Sequence, residues 1–260
     1  FVCGRPLPGQ RSCPLGRETG IARCEWRDDG WLYLAGNTLA PSETQPAEAE
    51  PEPETPTETR FDGPSLPPEF QWLRTPEPDR IFQLTGTALR ITGRESLGSW
   101  FEQSLVARRQ EHHAYRAEAT FQADPATWQQ AVGLTTYYNR HKFHAALITR
   151  EKGARCLTLV SCLGDWPGER LTFHGGPIPL PEGEVGLAVE VDGATQRFLL
   201  HTPKGWRHVG PQLDAAIISD EGGRGEHASF TGALVGPVAH DLTGQGWAAD
   251  VTFFRYEPRA

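Results

Sequence analysis

The sequence predicts an all-β protein built as an antiparallel β-sandwich, on three observations. Short apolar-alternating runs recur through the last 200 residues, parted by turns rich in Gly and Pro. No segment sustains a helical period. An Asp-Gly pair, the strongest short hairpin signal, joins two of the runs at Asp192-Gly193. Many short strands with polar turns point to a sandwich or barrel, and two curved antiparallel sheets are the expected form.

The elements follow in order. GIARCEW and GWLYLAG, parted by the turn RDDG, read as two strands near the start of the chain. An isolated hairpin is marginal in water. This piece is therefore expected to pair with protein outside these 260 residues or to dock on the later part. The stretch Ala40–Thr59 is rich in Pro, Glu and Thr, has no large apolar residue and predicts an extended, solvated linker. Beyond it, KFHAALITREKGARCLTLVSCL predicts a hairpin, with Phe143, Ala145 and Leu147 alternating outward and Leu157 and Leu159 on the return. EVGLAVEVDGATQRFLLH predicts another, with Val185, Leu187, Val189 and Val191 on one face and Phe198 and Leu200 opposite. AYRAEATFQ, AVGLTTYYN, RLTFHGG, FTGALVG and DVTFFRYEP complete the ladder.

Charge narrows the function classes. Of the net charge of -8, residues 41–60 contribute -5, and the other 240 residues are near balance. No basic face is present for nucleic acid and no polybasic patch for lipid. No apolar run reaches the ~18 residues of a membrane span. The five cysteines are odd in number and form no CxxC pair, which favours free thiols in a reducing, cytoplasmic compartment; because the true start is not seen, secretion is left open.

Candidate chemical groups are few. His141 and His144 have the look of a metal pair, but residues three apart on a strand point to opposite faces. The adjacent His112 and His113 meet the same objection. Cys156 and Cys162 share a parity and read as core thiols. Asp220, Glu221 and Glu226 lie in the loop SDEGGRGEHASF, where paired carboxylates suit acid/base work on a sugar, though a solvated loop is the simpler reading. Among the eight Trp, Trp166 and Trp206 sit in turns and are expected to be exposed. No nucleophile elbow or phosphate loop is present.

Longer motifs carry a resemblance. GRPLPGQRSCPLGRETGIARCEWRDDGWLYL resembles the end of the catalytic domain of glycoside hydrolase family 43 β-xylosidases, where a five-bladed β-propeller closes. RFDGPSLPPEFQWLRTP, LVARRQEHHAYRAEATFQ, GLTTYYNRHKFHAALIT and FTGALVG resemble the concanavalin A-like C-terminal domain of the same enzymes. The resemblance implies three parts: residues 1–39 as the end of the propeller, 40–60 as linker and 61–260 as the sandwich. It implies the C-terminal fragment of an inverting exo-acting β-1,4-xylosidase, with α-L-arabinofuranosidase activity also found among relatives. Its partners would be the N-terminal propeller fragment, a xylo-oligosaccharide substrate and further copies of itself. No catalytic carboxylate and no cofactor is expected on this chain; any structural metal is left to the missing propeller. Two substrate-binding residues are implied, Arg5 of the GRP motif and Phe230 at the start of FTGALVG. Relatives carry a His shortly before the GRP glycine, roughly where Phe1 stands here, which loosens the register of the first residues. The alternative is a non-catalytic carbohydrate-binding sandwich.

Overall fold

The computed structural model describes residues 2–36, 54–164, 168, 170–223 and 231–259. Among the described residues, twenty strands run in chain order. β1 (Val2–Gly4), β2 (Arg17–Thr19), β3 (Cys24–Trp26) and β4 (Leu32–Leu34) come first. β5 (Thr57–Thr59), β6 (Phe70–Trp72), β7 (Phe82–Leu84), β8 (Leu89–Thr92), β9 (Ser104–Arg109) and β10 (Ala114–Gln122) follow. The long central strands are β11 (Gln130–Asn139), β12 (Lys142–Glu151) and β13 (Ala154–Leu163). After β14 (Leu171–Phe173) and β15 (Ile178–Pro179) come β16 (Val185–Asp192), β17 (Thr195–Thr202), β18 (Gly205–Asp214), β19 (Leu234–Asp241) and β20 (Ala248–Pro258).

Two eight-stranded antiparallel sheets face each other. One runs β18-β17-β16-β10-β20-β8-β7, with β5 also on β20; the other runs β14-β13-β12-β11-β19-β9-β6, with β15 also on β13. The expected hairpins form: Val191 pairs with Gln196 across the Asp192-Gly193 turn, and Val185, Leu187, Val189 and Val191 are all buried with Phe198 and Leu200. Between the sheets lies the main core, where the Phe70 ring meets Phe254 edge-on at 5.2 Å and Phe61 at 5.4 Å. Polar pins cross it. Thr136 donates to Gln196 Oε1 at 2.9 Å. His144 donates through Nε2 to the Asp214 carbonyl at 3.0 Å, which leaves Nδ1 to accept from the Ser161 hydroxyl at 2.6 Å. Ser161 accepts in turn from His174 Nε2 at 2.7 Å.

Three features differ from the sequence reading. Pairing of Ala146 with Leu159 and Ile148 with Leu157 puts Leu157 and Leu159 on the face opposite Phe143, Ala145 and Leu147. Both faces of β12 are buried, because a second apolar cluster of Phe143, Ala145, Leu147, Val160 and Cys162 covers its outer side. Thr57–Thr59, inside the stretch read as linker, is a strand along the C-terminal half of β20. The expected hairpin of GIARCEW with GWLYLAG forms as β3 with β4, and the start of the chain adds a second two-stranded sheet, β1 with β2.

Candidate functional site

The candidate site is the seam where residues 4–19 meet the sandwich, because Arg5 and the carboxylate loop converge there. Cys13 N–H donates to Glu221 Oε2 at 2.7 Å, and Arg17 Nε lies 3.0 Å from Asp220 Oδ2. The Ala233 amide donates to the Pro14 carbonyl at 2.7 Å, and Arg109 donates to the Leu15 carbonyl at 3.3 Å and to the Thr231 carbonyl. His113 Nε2 donates to the Arg5 carbonyl at 3.2 Å. Leu7, Cys13 and Leu15 are buried in this contact.

Two glycines make the close approach possible. Gly16 and Gly232 both have φ near +75°, the left-handed region that favours glycine. A Cβ on Gly16 would lie 2.6 Å from the Gly232 backbone, and one on Gly232 would lie 2.7 Å from the Leu15 carbonyl oxygen. The motifs PLGRETG and FTGALVG, 216 residues apart at these glycines, thus meet backbone to backbone.

Behind the seam, the Tyr138 hydroxyl donates to Asp220 Oδ1 and accepts from Thr231 N–H at 3.2 Å. Burial and then the Asp220 carboxylate raise the Tyr138 phenol far above its usual range, so it stays a proton donor. Lys142 Nζ donates to the carbonyls of Ser219 at 2.9 Å and Asp220 at 3.2 Å. Burial lowers the Lys142 ammonium, with Asp220 and Glu221 opposing the shift. Burial also raises the Cys13 thiol, reinforced by Glu221.

This arrangement redefines the carboxylates. Asp220 and Glu221 both bond the N-terminal segment, Asp220 from a side chain only 3% exposed and Glu221 from an exposed position. Glu226, Trp166 and Phe230 lie outside the described residues. Arg5 extends beyond β1 with its guanidinium held by both carboxylate oxygens of Glu18, at 3.0 and 3.1 Å. Trp206, expected exposed, is half-buried, with the Arg116 guanidinium 4.7 Å over its ring and His201 edge-on at 5.0 Å. His141 and His144 are not brought together: His144 serves the cross-sheet pin, while His141 receives Gly164 N–H at its carbonyl. His112 contacts Tyr256 and His113 the seam. Among the described residues no group of three His, Cys, Asp or Glu is placed to hold a metal. Sequence reasoning missed Arg17, Tyr138, Lys142 and the glycine pair; the repeated glycines of the two motifs were the available signal.

The apposed sheets with their crossing connections define a concanavalin A-like sandwich. The chain belongs to the family of the β-xylosidase C-terminal concanavalin A-like domain, whose profile matches residues 58–257. It is 40% identical over 267 residues to a xylosidase/arabinosidase 43B of Humicola insolens, covering 99% of this chain and 49% of that protein. It is 40% identical over 264 residues to a putative beta-xylosidase of Escherichia coli, covering 96% and 48%. A solved xylan beta-1,4-xylosidase from Bacillus halodurans superposes with a TM-score of 0.85 at 31% identity, over 98% of this chain and 50% of that one. The chain spans about half the length of the curated relatives it matches.

Proposed function

We propose that the chain is the C-terminal part of an inverting, exo-acting β-1,4-xylosidase that also removes α-L-arabinofuranosyl groups, with its catalytic carboxylates on an N-terminal propeller unit. One observation carries the proposal. In the β3–β4 hairpin, Cys24 pairs with Leu34 and Trp26 with Leu32, so one face is apolar, and Trp26 is 74% exposed. Trp31, just before β4, is also exposed, at 71%. An amphipathic two-stranded sheet with a bare apolar face suits the closing edge of a larger β-structure. The names of the two 40% identical relatives give the substrate class.

In this reading a general base on the partner unit activates water for attack at the anomeric carbon, while a general acid protonates the leaving oxygen. An inverting pair stands roughly 6.5–9.5 Å apart. This chain supplies no acid. It contributes the closing strands, the Arg5 fork for sugar hydroxyls and Phe230 as an apolar wall that limits the pocket to terminal sugars.

Co-expression with the N-terminal half of the Humicola insolens relative tests this. The assembled pair is expected to hydrolyse xylobiose, and the chain alone is not. In the pair, Phe230→Ala is expected to lower kcat/KM roughly tenfold. Hydrolysis by the chain alone, or none by a demonstrated complex, overturns the proposal.

A further inference from the structure

The outer face of the β11–β14 sheet holds a cavity of about 510 Å³ that the docking seam does not use. Its floor crosses five strands, from His240 on β19 through Ala131, Leu147 and Val160 to Phe173 on β14. Four inter-strand steps make a trough roughly 19 Å wide. Trp128, 65% exposed, lines it from just before β11, at the end of the strands, and Phe173, 61% exposed, lines it from the edge strand β14. Gln130 pairs with Asp241 and Tyr137 with Leu234, so the Trp128 end lies roughly 24 Å along β11 from the seam.

The geometry points to a binding site in this trough for a neutral β-linked oligosaccharide chain, held by stacking on Trp128 and Phe173. The identity of that sugar as xylan rests on the reading of the whole enzyme given above. A site of this volume, mostly apolar with a few convergent polar groups, has the make-up of a small-ligand pocket. The polar groups are neutral in sum. Glu151 and Lys152 offset each other at the rim, and Thr149 and Thr158 offer hydroxyl oxygens. His240 stays uncharged, because burial pushes its imidazole down to about 4. A neutral trough disfavours anionic lipid, nucleic acid and acidic peptide. Its concavity suits a slender chain with apolar ring faces, whereas a second copy of this protein would need a protruding element to fill it.

Affinity electrophoresis of the 260-residue chain in gels containing soluble xylan tests the site, with calorimetry against xylohexaose and cellohexaose. Wild type is expected to be retarded by xylan, and Trp128→Ala and Phe173→Ala each to weaken binding about tenfold with an unchanged circular dichroism spectrum. The exposed Trp26→Ala is the control expected to bind normally. Absence of binding to every glycan overturns the site, as does binding that both variants retain. A dimer in sedimentation that Trp128→Ala disperses also overturns it and assigns the trough to a second copy. Binding of cellohexaose but not xylohexaose upholds the trough as a glycan site and counts against the xylosidase reading instead.

Discussion

Residues 2–36 and the sandwich solve the same problem, the burial of apolar strands, to different degrees. In the sandwich even a single strand such as β12 is covered on both faces, by Ala146 and Ile148 toward the other sheet and by Phe143, Ala145 and Leu147 toward the outer cluster. Among the described residues of the N-terminal region, burial is confined to Leu7 and the run Cys13, Pro14, Leu15 and Gly16, and the tryptophans of the β3–β4 hairpin face solvent. The seam anchors one side of this region with charge, backbone hydrogen bonds and glycine contact, while among the described residues the apolar side of the β3–β4 hairpin is exposed. In the proposed function that exposed side is the one that meets the N-terminal unit.

The contrast is tested first where the effect is largest. Phe254, 1% exposed and stacked edge-on against Phe70, is expected to cost about 3–5 kcal/mol as Phe254→Ala in urea unfolding. A loss under 1 kcal/mol would mean that the sandwich core tolerates the cavity and the two regions differ less than described.

The second test is acid. An unfolded imidazole takes its proton near pH 6.5, but burial holds His144 at about 4, opposed in part by its bond to the Asp214 carbonyl. As pH falls below 6.5 the unfolded state gains the proton first, so stability is complete above that pH and is lost as pH falls toward 4. The loss is expected to reach about 3 kcal/mol. The His144 ring signals in nuclear magnetic resonance should show no titration between pH 8 and 5; a midpoint near 6.5 would break the cross-sheet pin.

The third test addresses the seam. Gly16→Ala forces a side chain into the left-handed region and against the Gly232 backbone, at an expected cost of about 2 kcal/mol. Faster amide exchange over residues 13–19, with unchanged sandwich strands, is the predicted signature. The smallest expected effect is Trp26→Ala in the chain alone, within about 0.5 kcal/mol, because the ring has little to leave.

Much of the sandwich was legible because strand alternation and turn residues are local. The Asp192-Gly193 hairpin formed in the register that Val191 and Gln196 imply. The double burial of β12 was not legible, since alternation marks one covered face and says nothing of a second layer laid over the other. The strand at Thr57–Thr59 was hidden because its few polar residues gain order from distant partners, β20 along the backbone and Arg108 at the Thr57 hydroxyl. The seam was legible only in pieces. Asp220 and Glu221 drew notice as carboxylates, but their partners Arg17 and Cys13 lie about 200 residues away, and no local pattern reports such a pairing. Arg5 was singled out through its motif, and the structure shows its guanidinium clasped by Glu18.

The most direct measurement is amide exchange of Cys24–Trp26 and Leu32–Leu34, in the chain alone and in a complex with a catalytic N-terminal unit that hydrolyses xylobiose. The account predicts rapid exchange of this hairpin alone, against slow exchange in β10–β12, and at least tenfold slowing in the active complex. Protection of the isolated hairpin equal to that of β10–β12, or exchange unchanged in an active complex, would contradict it.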